Sequence, residues 1–155
     1  MELAVGNYLT LKQPDGTVRY RSQNFFIGQN VTYENESWSF LPFGFSGITI
    51  NRSGDNTDAS LVFPNNELSR NWSVEALRDR WTAIVYVMLL DPVNRTVTSR
   101  MHQYYGQVAG GEWDETALTL QLNTVLDAVG SDFPVRRLNQ RLVGALPVSN
   151  NVRLQ

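Results

Sequence analysis

The 155-residue chain has no cysteine, a single histidine (His102) and a single lysine (Lys12). Without cysteine, neither disulfides nor thiolate metal ligation can support the fold. One imidazole rules out a His-rich metal centre and leaves only His102 for a nucleophile–His pair. His102 sits in "SRMHQYY", a stretch that reads as mid-strand, where a solvent-facing or hydrogen-bonded histidine is the ordinary state. Long apolar runs are missing too. The longest, Ala83 to Leu90, is too short to cross a bilayer. The N-terminus "MELAVGNYLTLKQPDG" shows no basic start followed by an apolar stretch, so a soluble, untargeted protein is expected, with no membrane insertion by this chain. Glycine-rich phosphate loops, nucleophile elbows and paired ligand motifs do not occur. An enzyme is therefore the weaker class, and no catalytic residue, cofactor or metal is expected.

Charge is sparse: 18% of residues are charged, and the formal net charge is −2. Such a balance gives no long-range pull toward nucleic acid or acidic membranes. The kind of charge says more, because 12 of the 13 basic residues are arginine. Guanidinium is weakly hydrated and is enriched in protein–protein contacts where lysine is depleted. That bias leans toward interfaces.

What is present reads as a β protein. Residues 17–27, "TVRYRSQNFFI", alternate in part, and "NVTYENESWSFLPFGF" gives a hairpin with arms near 31–33 and 38–41 around Glu34–Ser37. Strands near 47–51 and 59–63 flank a polar loop, Asn51 to Asp58. Pro64, Asn65 and Asn66 then stop the second strand. Ser73 with Glu75 supplies an N-cap and an acidic first turn for one short helix through about Asp79. "WTAIVYVMLL" (81–90) is apolar on both alternating faces, as in a strand covered on both sides. "DPVN" turns the chain into a strand from about Arg95 to Gln107, ending at Gly110 and Gly111. In "ETALTLQLNTV", Leu118, Leu120 and Leu122 share one face and Thr119, Gln121 and Asn123 the other. The expected fold is mainly β, an antiparallel barrel or sandwich with one short helix.

Few constellations suggest chemistry. The acidic clusters Glu34/Glu36 and Glu112/Asp114/Glu115 fall in predicted turns, where solvated charge is the default. The oxygens of Asn51, Ser53, Asp55, Asn56 and Asp58 outline a weak calcium loop, but without EF-hand spacing or its closing glutamate. Trp38, Trp72, Trp81 and Trp113, with Tyr104 and Tyr105, suit either a core or stacking on sugar rings in a β-sandwich carbohydrate-binding module, which is the alternative reading. Base stacking usually comes with a basic stripe, absent here.

The order of segments resembles the amino-terminal domain of the minor tail protein L family, tail-tip components of long-tailed bacteriophages. The pieces are "VRYRSQNF", "VTYENESWSFLPFGF", "GITINRSGDNTDASLVFPN", "RWTAIVYVMLLDP", "SRMHQYYGQVAG", "ALTLQLNTV" and "FPVRRLNQRLVG", together spanning residues 17 to 147. The resemblance implies a hub-type β-barrel domain over residues 1–147 with a tail over 148–155. It also implies assembly into a threefold or sixfold ring of copies around the tail channel. Its neighbours would be the distal tail protein and the central receptor-binding hub or fibre protein, in a virion assembled in the host cytoplasm. In relatives a cysteine-bearing region that can hold an iron–sulfur cluster follows; with no cysteine here, that feature does not carry over. The closing segment becomes the candidate subunit interface: Phe133 and Pro134 end the barrel, and Arg136, Arg137, Leu138, Arg141, Leu142 and Val143 lie on an arm that can cross to a neighbour. On an exposed rim each arginine pair is worth about 0–1 kcal/mol. Desolvated in an interface, truncating one costs on the order of 2–5 kcal/mol.

Overall fold

A computed structural model describes residues 3–46 and 59–124. Its elements are β1 (Ala4–Lys12), β2 (Val18–Gln23), β3 (Val31–Tyr33), β4 (Glu36–Phe40), β5 (Gly44–Ser46), β6 (Ala59–Pro64), α1 (Glu67–Arg78), β7 (Thr82–Asp91), β8 (Thr96–Trp113) and β9 (Ala117–Thr124). Among the described residues nine strands form one sheet in the order β3-β4-β2-β1-β7-β8-β9-β6-β5, so the fold is mainly β with one helix there, as expected. The predicted strands near 47–51 and the loop to Asp58 lie outside the described residues, apart from β5 just before them.

The sheet curls around one core and carries a second on its back. Leu9 and Leu11 of β1, Ala83 and Val85 of β7, Leu61 and Phe63 of β6, and Leu118, Leu120 and Leu122 of β9 are buried in the larger cluster. Tyr8, Met88 and Leu90 face the other way, toward Phe26, Val31 and Trp38 of the β3–β4 side. Hence β1 and β7 are covered on both faces, which is why the apolar character of β7 does not alternate. Among the described residues the curled sheet is not closed by a strand ladder. Its two sides are instead joined where residues 41–43 run from β4 to β5. There the Leu41 amide donates to the Gln23 carbonyl (2.9 Å), Asn24 Nδ2 donates to the Phe43 carbonyl (2.9 Å), and the Phe43 and Phe63 rings lie 6.0 Å apart.

The sheet is mainly antiparallel, as expected, with one parallel pairing, of β4 to β2 at Ser22–Ser39 and Gln23–Phe40; four other sequence expectations need correction. The cause of the parallel pairing is a compact loop after β2 built around the fully buried Gln23 side chain. Its Oε1 accepts from the amides of Phe25 (2.8 Å) and Phe26 (2.7 Å), and its Nε2 donates to the carbonyls of Phe26 (2.8 Å) and Gln29 (3.1 Å). That loop ends the first predicted strand at Gln23 rather than 27. The 31–41 hairpin turns on two residues only, Glu34 (φ 53°) and Asn35 (φ 62°), the positive-φ pair that matches the twist of its flanking strands. The helix starts at Asn66, not Ser73: Asn66 Oδ1 accepts from the Ser69 amide (2.8 Å), and the Asn66 amide donates to Ser69 Oγ (3.0 Å). Ser73 is buried mid-helix and donates to the Arg70 carbonyl (2.9 Å). Finally, β8 runs through Gly110 and Gly111 to Trp113, because a bulge between Val108 and Gly110 absorbs the irregularity without breaking the pairing to β9.

The N-terminal segment, which carried no strand expectation, is the interior strand β1, paired with β2 and β7. Gly6 sits there because the loop after β2 crosses it closely. A Cβ at this position would lie 2.6 Å from Leu90 Cδ1 and 2.9 Å from Phe25 Cβ. Gly6→Ala is therefore expected to destabilise the fold by about 1–3 kcal/mol through overpacking, read by urea unfolding; an unchanged midpoint would contradict the close approach.

The second core also carries a titration. Burial, with the neighbouring Tyr33 adding to it, pushes the Tyr8 hydroxyl up to about 12. A phenol that ionises in the unfolded chain near 10 but in the folded protein near 12 favours folding fully below pH 10, and that contribution is lost as pH rises toward 12. Stability is thus expected to fall by about 2–3 kcal/mol between those limits. Tyr8→Phe should flatten much of that decline in urea unfolding followed from pH 9 to 11. It should cost little at neutral pH, because the buried Tyr8 hydroxyl has no hydrogen-bond partner among the described residues.

Candidate interaction surface

The sequence-predicted interface residues Phe133, Pro134, Arg136, Arg137, Leu138, Arg141, Leu142 and Val143 lie outside the described residues, as does the Asn51–Asp58 loop. His102 is exposed on β8. Of the predicted acidic clusters, Glu36 accepts from Arg21 (3.0 Å) across β4 and β2, and Asp114 organises the β8–β9 turn. Asp114 Oδ1 accepts from the Thr116 amide (2.7 Å), the Ala117 amide (2.7 Å) and Thr116 Oγ1 (3.0 Å). These donors, the Ala117 amide first, hold the Asp114 carboxyl below its ordinary range. Among the described residues no group of three or more His, Cys, Asp or Glu is placed to hold a metal ion. Nor is any described helix long and apolar enough to cross a membrane.

The tryptophans divide sharply. Trp38, Trp72 and Trp81 are core residues, whereas Trp113, at the end of β8, is 61% exposed. Trp72 meets Phe63 edge-on at 4.9 Å and anchors α1 over the open side of the larger core. Sequence reasoning named Trp113 but had no means of placing it beside α1; that contact follows from the pairing of β6 with β9, which brings Asn65 next to the β8–β9 turn. There the Asn65 amide donates to the Thr116 carbonyl (3.0 Å), and Asn65 Nδ2 donates to the Asp114 carbonyl.

Two grooves flank α1. One, of about 310 Å³, is lined by apolar side chains including Tyr20, Phe40, Leu41, Leu68 and Trp72, and Arg19 approaches Glu75 across it at 3.7 Å. The other, of about 620 Å³, lies between α1 and the β8–β9 turn and is lined by Asn65, Arg70, Ser73, Val74, Trp113, Asp114 and Glu115. Exposed apolar groups border both: Leu68 is 78% exposed and Val74 54%. Shallow clefts with apolar walls and charged rims suit the docking of another chain better than chemistry on a small substrate.

No family model and no curated protein matches this chain. Among solved structures, a chain from the "Virion of native gene transfer agent (GTA) particle" is similar at TM-score 0.51 and 16% identity, and the match covers 83% of this chain. This chain spans 43% of the length of that one. At this identity the likeness is one of fold alone.

Proposed function

We propose that this chain is a structural subunit of a phage-like particle. More specifically, it forms or joins a ring around the channel of the tail tip, between the distal tail ring and the central receptor-binding hub. The fold likeness to a chain of the gene transfer agent virion, over 83% of this chain, is the observation that carries the reading. The arginine-dominated charge and the exposed apolar rims of the two α1 grooves support it, since both are features of assembling surfaces. In this reading Phe133, Pro134, Arg136, Arg137, Leu138, Arg141, Leu142 and Val143 form an arm that contacts another subunit. The chain acts by packing, without catalysis.

Mass spectrometry of purified particles, with immunogold labelling of this chain, tests the reading. Label at one end of the tail in a fixed copy number is the expected result; label absent from particles, or scattered over the capsid, contradicts it. The carbohydrate-binding alternative is weakened by the burial of three of the four tryptophans, which leaves Trp113 without a second indole beside it for a stacking platform. Glycan-array binding abolished by Trp113→Ala would revive it.

A further inference from the structure

We propose that the groove between α1 and the β8–β9 turn is the seat for the Phe133–Val143 arm of a neighbouring copy of this chain. The inference rests on the reading above, in which that arm crosses between subunits, and adds where it lands.

The groove is preformed. Asp114 and Asn65 lock the turn by the hydrogen bonds described above, so little ordering cost falls on the receiving side. Its walls present Val74 and Trp113 to solvent, 54% and 61% exposed, an aliphatic and an indole surface that gain by being covered. Its charge then selects the occupant. Asp114 and Glu115 line the groove, whereas the one cation among its described lining residues, Arg70, is turned to Asn65 Oδ1. The three ion pairs among the described residues are Arg19–Glu75, Arg21–Glu36 and Arg78–Asp79, so none engages these carboxylates. An apolar cleft whose carboxylates meet no cation among the described residues calls for a segment that mixes apolar side chains with arginine. The arm does so, with Phe133, Leu138, Leu142 and Val143 among Arg136, Arg137 and Arg141. The second groove is a poorer match, because its carboxylate, Glu75, already faces Arg19.

Reach favours a neighbour over the arm's own domain. The described chain stops at Thr124, and the groove lies at the opposite, Ala117 end of β9. That is about 23 Å away along the strand. The nine steps from Thr124 to Phe133 span at most about 30 Å fully extended. To reach its own groove the chain would have to reverse at Thr124 and run back almost straight. The groove of an adjacent copy asks for no such reversal.

A charge exchange in the full chain decides the matter, with association followed by sedimentation velocity and mass photometry. Glu115→Arg on one copy, and Arg136→Glu with Arg137→Glu on another, should each weaken self-association at least about 30-fold, with thermal unfolding of the monomer unchanged. An equimolar mixture of the two variants should recover association, because each intact arm then meets an intact groove and each reversed arm a reversed groove. Assembly of the wild-type chain that ignores both reversals, or a mixture that does not recover, overturns the docking site alone. A wild-type chain that stays monomeric at all concentrations and in the presence of particle proteins overturns the reading it rests on as well.

Discussion

Replacing Gln23 by leucine is expected to cost about 3–5 kcal/mol of folding stability, a large share of the roughly 5–15 kcal/mol typical of a domain. The side chain is fully buried, and both of its ends are used, the oxygen by two amides and the nitrogen by two carbonyls of residues 25 to 29. Leucine fills similar volume but takes away the partner of the Phe25 and Phe26 amides and of the Gln29 carbonyl, each costing about 1–3 kcal/mol where water is excluded and less where it enters, while the Phe26 carbonyl keeps the Gln29 amide (3.3 Å). The damage spreads, because this loop seats Phe25 and Phe26 against the second core and hands the chain to the β3–β4 hairpin. Asn24 alongside accepts from the Asn7 amide (2.8 Å) while donating to Phe43, so β1, the loop and the lead into β5 are tied at one point. Urea unfolding of the variant should show a large drop in midpoint with the Trp38 environment altered. A loss under 1 kcal/mol would mean that the loop holds its shape without the glutamine.

The second large effect concerns assembly. Changing Arg136, Arg137 and Arg141 together to alanine should raise the dissociation constant between copies at least about a thousandfold, roughly 4 kcal/mol, if they are desolvated between subunits. Stability of the single domain should move by no more than about 0.5 kcal/mol, because the arm follows the last strand of the described core. The split matters: an arm that belonged to its own barrel would lower unfolding stability along with association. Light scattering and chemical unfolding on the same preparation separate the two. Equal loss in both would contradict an intersubunit arm.

Legibility in the sequence followed how simply each strand meets its surroundings. In β9 one face is core, and Leu118, Leu120 and Leu122 alternate with polar neighbours, so the pattern declares the strand. In β7 both faces are covered, and an unbroken apolar run declares it equally well. Strand β1 is covered on both faces too, but Gly6, Asn7 and Thr10 interrupt the run for local reasons: close approach of Phe25, a bond to Asn24, and burial between neighbouring strands. Its apolar signal was therefore too broken to read. The helix start was obscured because Ser73 and Glu75 imitate a cap. The real one pairs Asn66 with Ser69, a serine at the position where glutamate or glutamine is the familiar sign. The groove beside Trp113 was beyond sequence reasoning, since residues 65–74 and 113–115 meet only through the β6–β9 pairing.

A cryo-electron microscopy map of the intact particle bears most directly on the central claim. It should show equivalent copies of this domain in a ring around the tail channel, each with its Arg136–Val143 segment lying on the next copy. A map with the segment folded back on its own domain, or with no density for this chain in the tail, would contradict the account.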